Sequence, residues 1–300
     1  MGNVQTAASA LDVLWRQTPG GELVDLGRPH RLPLAQQRLQ RTPPTAAPEI
    51  AEIYKQYEQL KQNNIHFVVA SGNQLAKLVT YFPEISHEIA FIAENGAHVV
   101  DAGQEIAFAH LSQQQFIETL KAIDSTYTSK MVICGKQSAY VHKSMQADDY
   151  AKVARYFEKL IVVEDFYALK DLVCKITFIA QKNESFAIFQ DLQQQSFVAD
   201  QLLVPVSSGF DFIDLILPDQ HKAHGLKLLL EKWQVEPSQV VAIGDNNNDI
   251  QMIKAVGYGF AVENAVEALK AVAPYTTVSN EQEGALQVID LMLQHQPPFV

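Results

Sequence analysis

Apolar residues recur along most of this chain at two periods, and the switches between them mark out its elements. After Glu49, the residues Ile50, Ile53, Tyr57 and Leu60 fall three and four apart, the spacing of one helix face. Asn63 and Asn64 end that helix, and IHFVVAS follows as a run apolar enough for a strand buried on both sides. QLAKLVTYF predicts a short helix stopped at Pro83, and IAFIAENGAHVV predicts strand, Asn-Gly turn, strand. Toward the far end, HGLKLLLEKW, VVAIG, NDIQMIKAV, YGFAV and EGALQVIDLML read as helix, strand, helix, strand, helix. Helices alternating with continuous apolar strands predict an α/β fold, a parallel sheet covered on both faces.

The middle of the chain breaks that rhythm. KMVICGKQSAYVH, LIVVED and CKITFIAQ read as strands, two of them alternating, with DDYAKVARYFEKL as a helix among them. This predicts a separate α+β unit over 112–206, inserted into a parallel-sheet domain built from 46–111 and 207–300. Residues 1–45 stand apart in composition. Arg16, Arg28, Arg31, Arg38 and Arg41 are five of the six arginines, whereas all seventeen lysines come from Lys55 onward. Six of the thirteen prolines lie at or before Pro48, and such Pro-, Gln- and Arg-rich sequence without apolar periodicity rarely packs. From this segment GELVDL is expected to fill a slot in the core sheet.

Totals narrow the function. An apolar content of 47% over 300 residues supports a real core and two domains. The net charge of −11, with no basic stripe, argues against nucleic acid or an anionic membrane as partner. A small phosphorylated metabolite stays open, because phosphate sites are built locally from amides, a lysine or a metal. Cys134 and Cys174 have neither metal nor redox spacing and read as buried free thiols. No apolar run reaches membrane length, and the N-terminus lacks a charged-then-apolar signal pattern, so a soluble cytoplasmic protein is expected. MGNVQT fits the myristoylation pattern, which is brief and common by chance. No feature of the sequence points to an oligomeric state.

In open α/β sheets, ligands gather beyond the carboxyl ends of the strands. Three polar stretches sit there: Ser71-Gly72-Asn73 after VVA, Lys222 at a helix start, and Asp245 with Asn248 and Asp249 after VVAIG. A hard cation such as Mg²⁺ takes oxygen ligands and keeps several waters, so one or two carboxylates plus a substrate phosphate suffice. Asp245 and Asp249 supply that charge, and Ser71 with the following amides can donate to phosphate oxygens. Lys222 can offset the negative charge held close together there, while Gly72 and Gly244 allow close backbone approach. Each residue alone has a plainer use as turn, cap or solvated lysine. The conjunction at three element ends, in this chain order, is far less ordinary than any one part.

SGN after a strand, AENGA some twenty residues on, HKAHG, and then GDNNNDIQMI with GFAVENA resemble the Cof-type branch of the haloacid dehalogenase-like hydrolases. The likeness is to its bacterial sugar phosphatases and covers about Glu49 to Leu293. It implies a Rossmann-like core, an inserted α/β cap that sets substrate choice, and Mg²⁺-dependent hydrolysis through an aspartyl-phosphate. It further implies that Ser71 binds phosphate, that Lys222 steadies nucleophile and phosphate, and that Asp245 ligates Mg²⁺. Asn248 and Asp249 would complete the metal and loop network, and Asn95 would line the substrate pocket.

That family opens with Asp-x-Asp-Gly-Thr, whose first Asp attacks phosphorus and whose second protonates the leaving oxygen. Here no such motif occurs. The nearest stretch is ELVDLGRPHRL, in which Asp25 stands for the nucleophile and metal ligand, and Gly27 replaces the acid. Two readings follow: a native N-terminus with Asp25 at the site but no acid partner, leaving a weak enzyme or a catalytically silent phospho-ligand binder, or a frame-shifted gene product. One extra G after the Leu26 codon turns codons for Asp-Gly into Gly-Arg, the order of Gly27-Arg28, and the arginine and proline bias suits out-of-frame translation. An Asp-x-Asp-Gly in another frame upstream of the EIAEIY codons would establish the shift; its absence from both other frames would sink it.

Overall fold

The computed structural model describes residues 12–17, 48–180, 184–209 and 212–299, with backbone alone at 12–17, 48–51, 208 and 209. The strands in chain order are β1 (Asp12–Gln17), β2 (Ile65–Ala70), β3 (Ala90–Ala93), β4 (His98–Asp101), β5 (Gln104–Phe108), β6 (Met131–Gly135) and β7 (Ala139–His142). They continue as β8 (Leu160–Val163), β9 (Val173–Ile179), β10 (Val204–Gly209), β11 (Phe212–Ile216), β12 (Val240–Gly244), β13 (Tyr258–Val262) and β14 (Tyr275–Thr277). The chain forms two compact units, one of residues up to Ala70 and from Leu230, the other of Ser71–Leu229.

In the first unit the strands run β14-β13-β12-β1-β2. β12, β13 and β14 are parallel, and all five residues of β12 are buried, as a strand covered on both faces requires. The helix Pro48–Gln62 lays Ile53, Tyr57 and Leu60, the face its spacing predicts, into the core. Gln56 Nε2 joins that helix to Gly284–Leu293 through Leu286 O (3.0 Å) and Asp290 Oδ1 (2.8 Å).

The slot between β2 and β12 corrects one expectation. It is filled by Asp12–Gln17, antiparallel to both neighbours, in register Leu14↔Val68 and Trp15↔Val241. GELVDL lies outside the described residues. DVLW has the apolar content to lie in the sheet interior, and filling the slot pairs backbone groups that two buried strands would otherwise leave open.

In the second unit β3, β4 and β5 form an antiparallel meander. A six-stranded sheet follows, ordered β10-β11-β9-β6-β7-β8, antiparallel except for β7–β8. KMVICGKQSAYVH is thus a hairpin rather than one strand, turning at 136–138, and the sheet extends past residue 206 to Ile216. Phe116, Ile133, Ile176, Phe178, Leu192 and Leu215 form much of the core beneath it. This is the α/β, Rossmann-like core with an inserted α+β cap that the sequence predicts. No helix among the described residues is long and apolar enough to cross a membrane.

Candidate active site

The turn after β2 is tied to the turn after β3. Ser71 N–H donates to Ile92 O (2.8 Å), Asn95 N–H to Ser71 O (3.0 Å) and Glu94 N–H to Asn73 O (3.0 Å). Within the first turn, Asn73 N–H donates to Ser71 Oγ (3.2 Å). Asn95 takes φ +58° and is almost wholly buried. A Cβ at Gly72 would stand 2.9 Å from Asn95 Oδ1, so a larger residue there would displace the Asn95 carboxamide. Gly96, at φ +109°, brings its backbone so near His221 that a Cβ would lie 2.3 Å from His221 O. Lys222, the next residue, is 1% exposed and opens the helix Lys222–Trp233. Ser71, Gly72, Asn73 and Asn95 therefore share one neighbourhood, with the Lys222 helix start packed against the Asn95-Gly96 turn.

Beneath that neighbourhood lies an ionic cluster that sequence reasoning missed. Lys175 Nζ reaches Glu94 Oε2 (2.8 Å), Asp214 Oδ2 (3.6 Å) and Gly72 O (2.8 Å). Asp214 also accepts from Thr177 Oγ1 (2.6 Å) and Asn95 Nδ2 (3.0 Å). Burial pushes the Glu94 carboxyl up, against the pull of the Lys175 ammonium beside it. Burial works to lower Lys175, but Asp214 and Glu94 outweigh it and hold the ammonium well above the ordinary lysine range. The missed signal is visible in hindsight as a charge inside an apolar run, Lys175 in VCKITFIA and Asp214 in FIDLIL. Nearby Cys134 and Cys174 are free and buried, as expected, and burial pushes both thiols up.

The stretch after β12 belongs to the first unit. Asp249 is fully buried, and its Oδ2 accepts from the N–H groups of Asp245 (3.1 Å) and Asn246 (2.9 Å). That carboxylate clamps the turn. Asp245 and Asn248 are half-buried. Asp245 is braced from two later loops: Val266 N–H donates to its carbonyl (3.0 Å), and Asn280 Nδ2 to Oδ2 (3.4 Å). Asn264 Oδ1 in turn accepts from Asn280 N–H (3.1 Å), which gives GFAVENA a structural reason. No group of three His, Cys, Asp or Glu side chains able to hold a metal occurs among the described residues, and Asp25 lies outside them. A half-buried carboxylate whose Oδ2 is held by Asn280, at a strand's carboxyl end, suits a hard cation that keeps most of its waters.

The model of the family described as haloacid dehalogenase-like hydrolase matches residues 49–289. Of the chain's relatives, the 5-amino-6-(5-phospho-D-ribitylamino)uracil phosphatase YbjI of Escherichia coli is 40% identical over 247 residues, 81% of this chain and 89% of that protein. A phosphoglycolate phosphatase of Methanosarcina acetivorans is 25% identical over 225 residues, 75% of this chain and 81% of its own. Among solved structures, SMU.1108c from Streptococcus mutans superposes with a TM-score of 0.76 at 29% identity, covering 81% of this chain and 91% of that one.

Proposed function

The chain belongs to the haloacid dehalogenase-like hydrolases, and from that premise we propose that it is a Mg²⁺-dependent phosphatase of sugar phosphates or similar small phosphomonoesters. The 40% relative acts by name on a phosphorylated ribityl compound, which makes sugar-alcohol phosphates the first substrates to try. The observation that carries the reading is the turn after β12. Asp249 holds its backbone, and Asn280 and Val266 fix Asp245 at the strand end, the geometry of a preset oxygen ligand.

In this reading a carboxylate attacks phosphorus, the P–O bond to the alcohol breaks and its oxygen takes a proton from water, and a second water cleaves the acyl phosphate to carboxylate and inorganic phosphate. Bound at Asp245, with Asn248 and Asp249 supporting the loop, Mg²⁺ would neutralise charge on the phosphoryl oxygens. Ser71 and the Gly72 N–H donate to those oxygens, Lys222 offsets the charge of nucleophile and phosphate, and Asn95 lines the pocket. Two carboxylates are open to the nucleophile's role: Asp25, and Asp12, whose backbone pairs with Ala70 immediately before Ser71.

The test is phosphate release from p-nitrophenyl phosphate and a panel of sugar and sugar-alcohol phosphates, with Mg²⁺ and with chelator. Turnover that needs Mg²⁺ and vanishes in Asp245→Asn is expected, and Asp25→Asn against Asp12→Asn identifies the nucleophile. A second reading, a phospho-ligand binder without turnover, is favoured by the lack of any Asp-x-Asp-Gly in the chain. It predicts no release, with sugar phosphate still raising Tm.

A further inference from the structure

Lysine is among the residues least often buried without a partner, and Lys175, in mid-β9, is 3% exposed. One of its three oxygen partners is no side chain but the carbonyl of Gly72, in the Ser71-Gly72-Asn73 turn. A buried ionic cluster contributes little to stability that well-packed apolar residues would not match. What it adds is direction, since a single ammonium satisfies one arrangement of carbonyl and carboxylates. The Gly72 carbonyl and the Asn73 N–H belong to one planar peptide and point opposite ways. Fixing the carbonyl therefore fixes the N–H, which donates to Ser71 Oγ at 3.2 Å. That accepted bond turns one lone pair of the Ser71 oxygen toward the turn and biases its O–H away from it. Asp214 closes the circuit through Asn95, whose N–H holds Ser71 O. A second fastening comes from Gln74, whose carboxamide exchanges two hydrogen bonds with the backbone of Lys159, donating to its carbonyl (3.2 Å) and accepting from its N–H (3.0 Å).

We propose that Lys175 is a positioning residue for the phosphate turn: from the inserted region it holds the Gly72 carbonyl, aims the Asn73 N–H, and thereby orients the Ser71 hydroxyl toward a phosphoryl oxygen. This rests on the reading of Ser71 as a phosphate ligand. The probe is inorganic phosphate, titrated calorimetrically into the full chain. Lys175→Met weakens phosphate binding about tenfold or more, whereas Lys130→Met, which breaks an ion pair with Glu184 elsewhere in the inserted region, leaves it unchanged. In a Ser71→Ala background the further effect of Lys175→Met falls below about twofold, a coupling that general destabilisation does not produce.

Because Lys175→Met strands two buried carboxylates, a triple variant adding Glu94→Gln and Asp214→Asn serves as the folded control. It is expected to recover Tm but not phosphate affinity. Wild-type affinity in the triple variant overturns the proposal, as does equal weakening with and without the Ser71 hydroxyl. Failure of the wild-type chain to bind phosphate at all counts against the phosphatase reading instead. Hydrogen exchange over residues 71–77 then decides. Faster exchange in Lys175→Met confined to that stretch sustains the positioning role, and unchanged exchange removes it.

Discussion

Gly244 has no room for a side chain. A Cβ there would lie 2.6 Å from Asp249 Cβ and 2.8 Å from its Cγ, atoms close to the backbone that cannot swing aside. Asp249 must stay where it is, because it is fully buried and its carboxylate satisfies two amides of the turn. Gly244→Ala therefore pits overpacking against the loss of those bonds, a destabilisation of about 1–3 kcal/mol. Urea unfolding should show the midpoint falling with an unchanged slope. The same variant should lose affinity for Mg²⁺, since the displaced turn carries Asp245. Wild-type stability would mean that Asp249 is not the clamp. Glycine at this position could be read in the sequence as permission for close approach, but not what approaches, because Asp249 is a contact made only once the turn is folded.

The helix Lys222–Trp233 begins with a titratable cap. His221 Nδ1 accepts from His224 N–H at 3.1 Å, the N-cap to N3 pattern, and an imidazole can accept there only with that nitrogen unprotonated. Burial lowers the His221 pKa, and neighbouring His224 lowers it further, while Asp219 opposes. A histidine depressed in the fold contributes stability that is present above its ordinary value of about 6.5 and lost as pH falls through the folded value. The wild-type Tm should thus decline as pH drops from 7 toward 5. His221→Asn keeps a capping oxygen that does not titrate, so its decline should be shallower. Identical slopes would exclude His221 as the pH-sensitive group; His98, also lowered by burial, would then be examined next. HKAHG was legible as a helix start, yet the cap was not, since histidine is a less usual N-cap residue than Ser, Asp or Asn.

Over the whole molecule, periodicity served best where burial is regular. The Ile53–Tyr57–Leu60 face, the apolar runs of β2 and β12, and the strand–turn–strand around Asn95 all appear as their patterns predict. It served less well for the Glu94–Lys175–Asp214 cluster, whose members lie far apart in sequence and whose meaning is their meeting. It failed at the centre of the core sheet. GELVDL and DVLWRQ are both short apolar runs, and local pattern cannot rank two candidates for one slot whose neighbours, β2 and β12, come from distant parts of the chain. The structure's choice can be tested with proline, which removes a ladder donor and is tolerated in sheets essentially only at edges or bulges. β1 has a neighbour on each side, so Leu14→Pro should cost about 3 kcal/mol or more and drive the chain into insoluble material. Val24→Pro, in the segment favoured by sequence, is the counterpart, and circular dichroism melts of the soluble fractions compare the two. A stable Leu14→Pro beside a collapsed Val24→Pro would return the central strand to GELVDL. It would also favour Asp25, within that run, over Asp12 as the nucleophile to test.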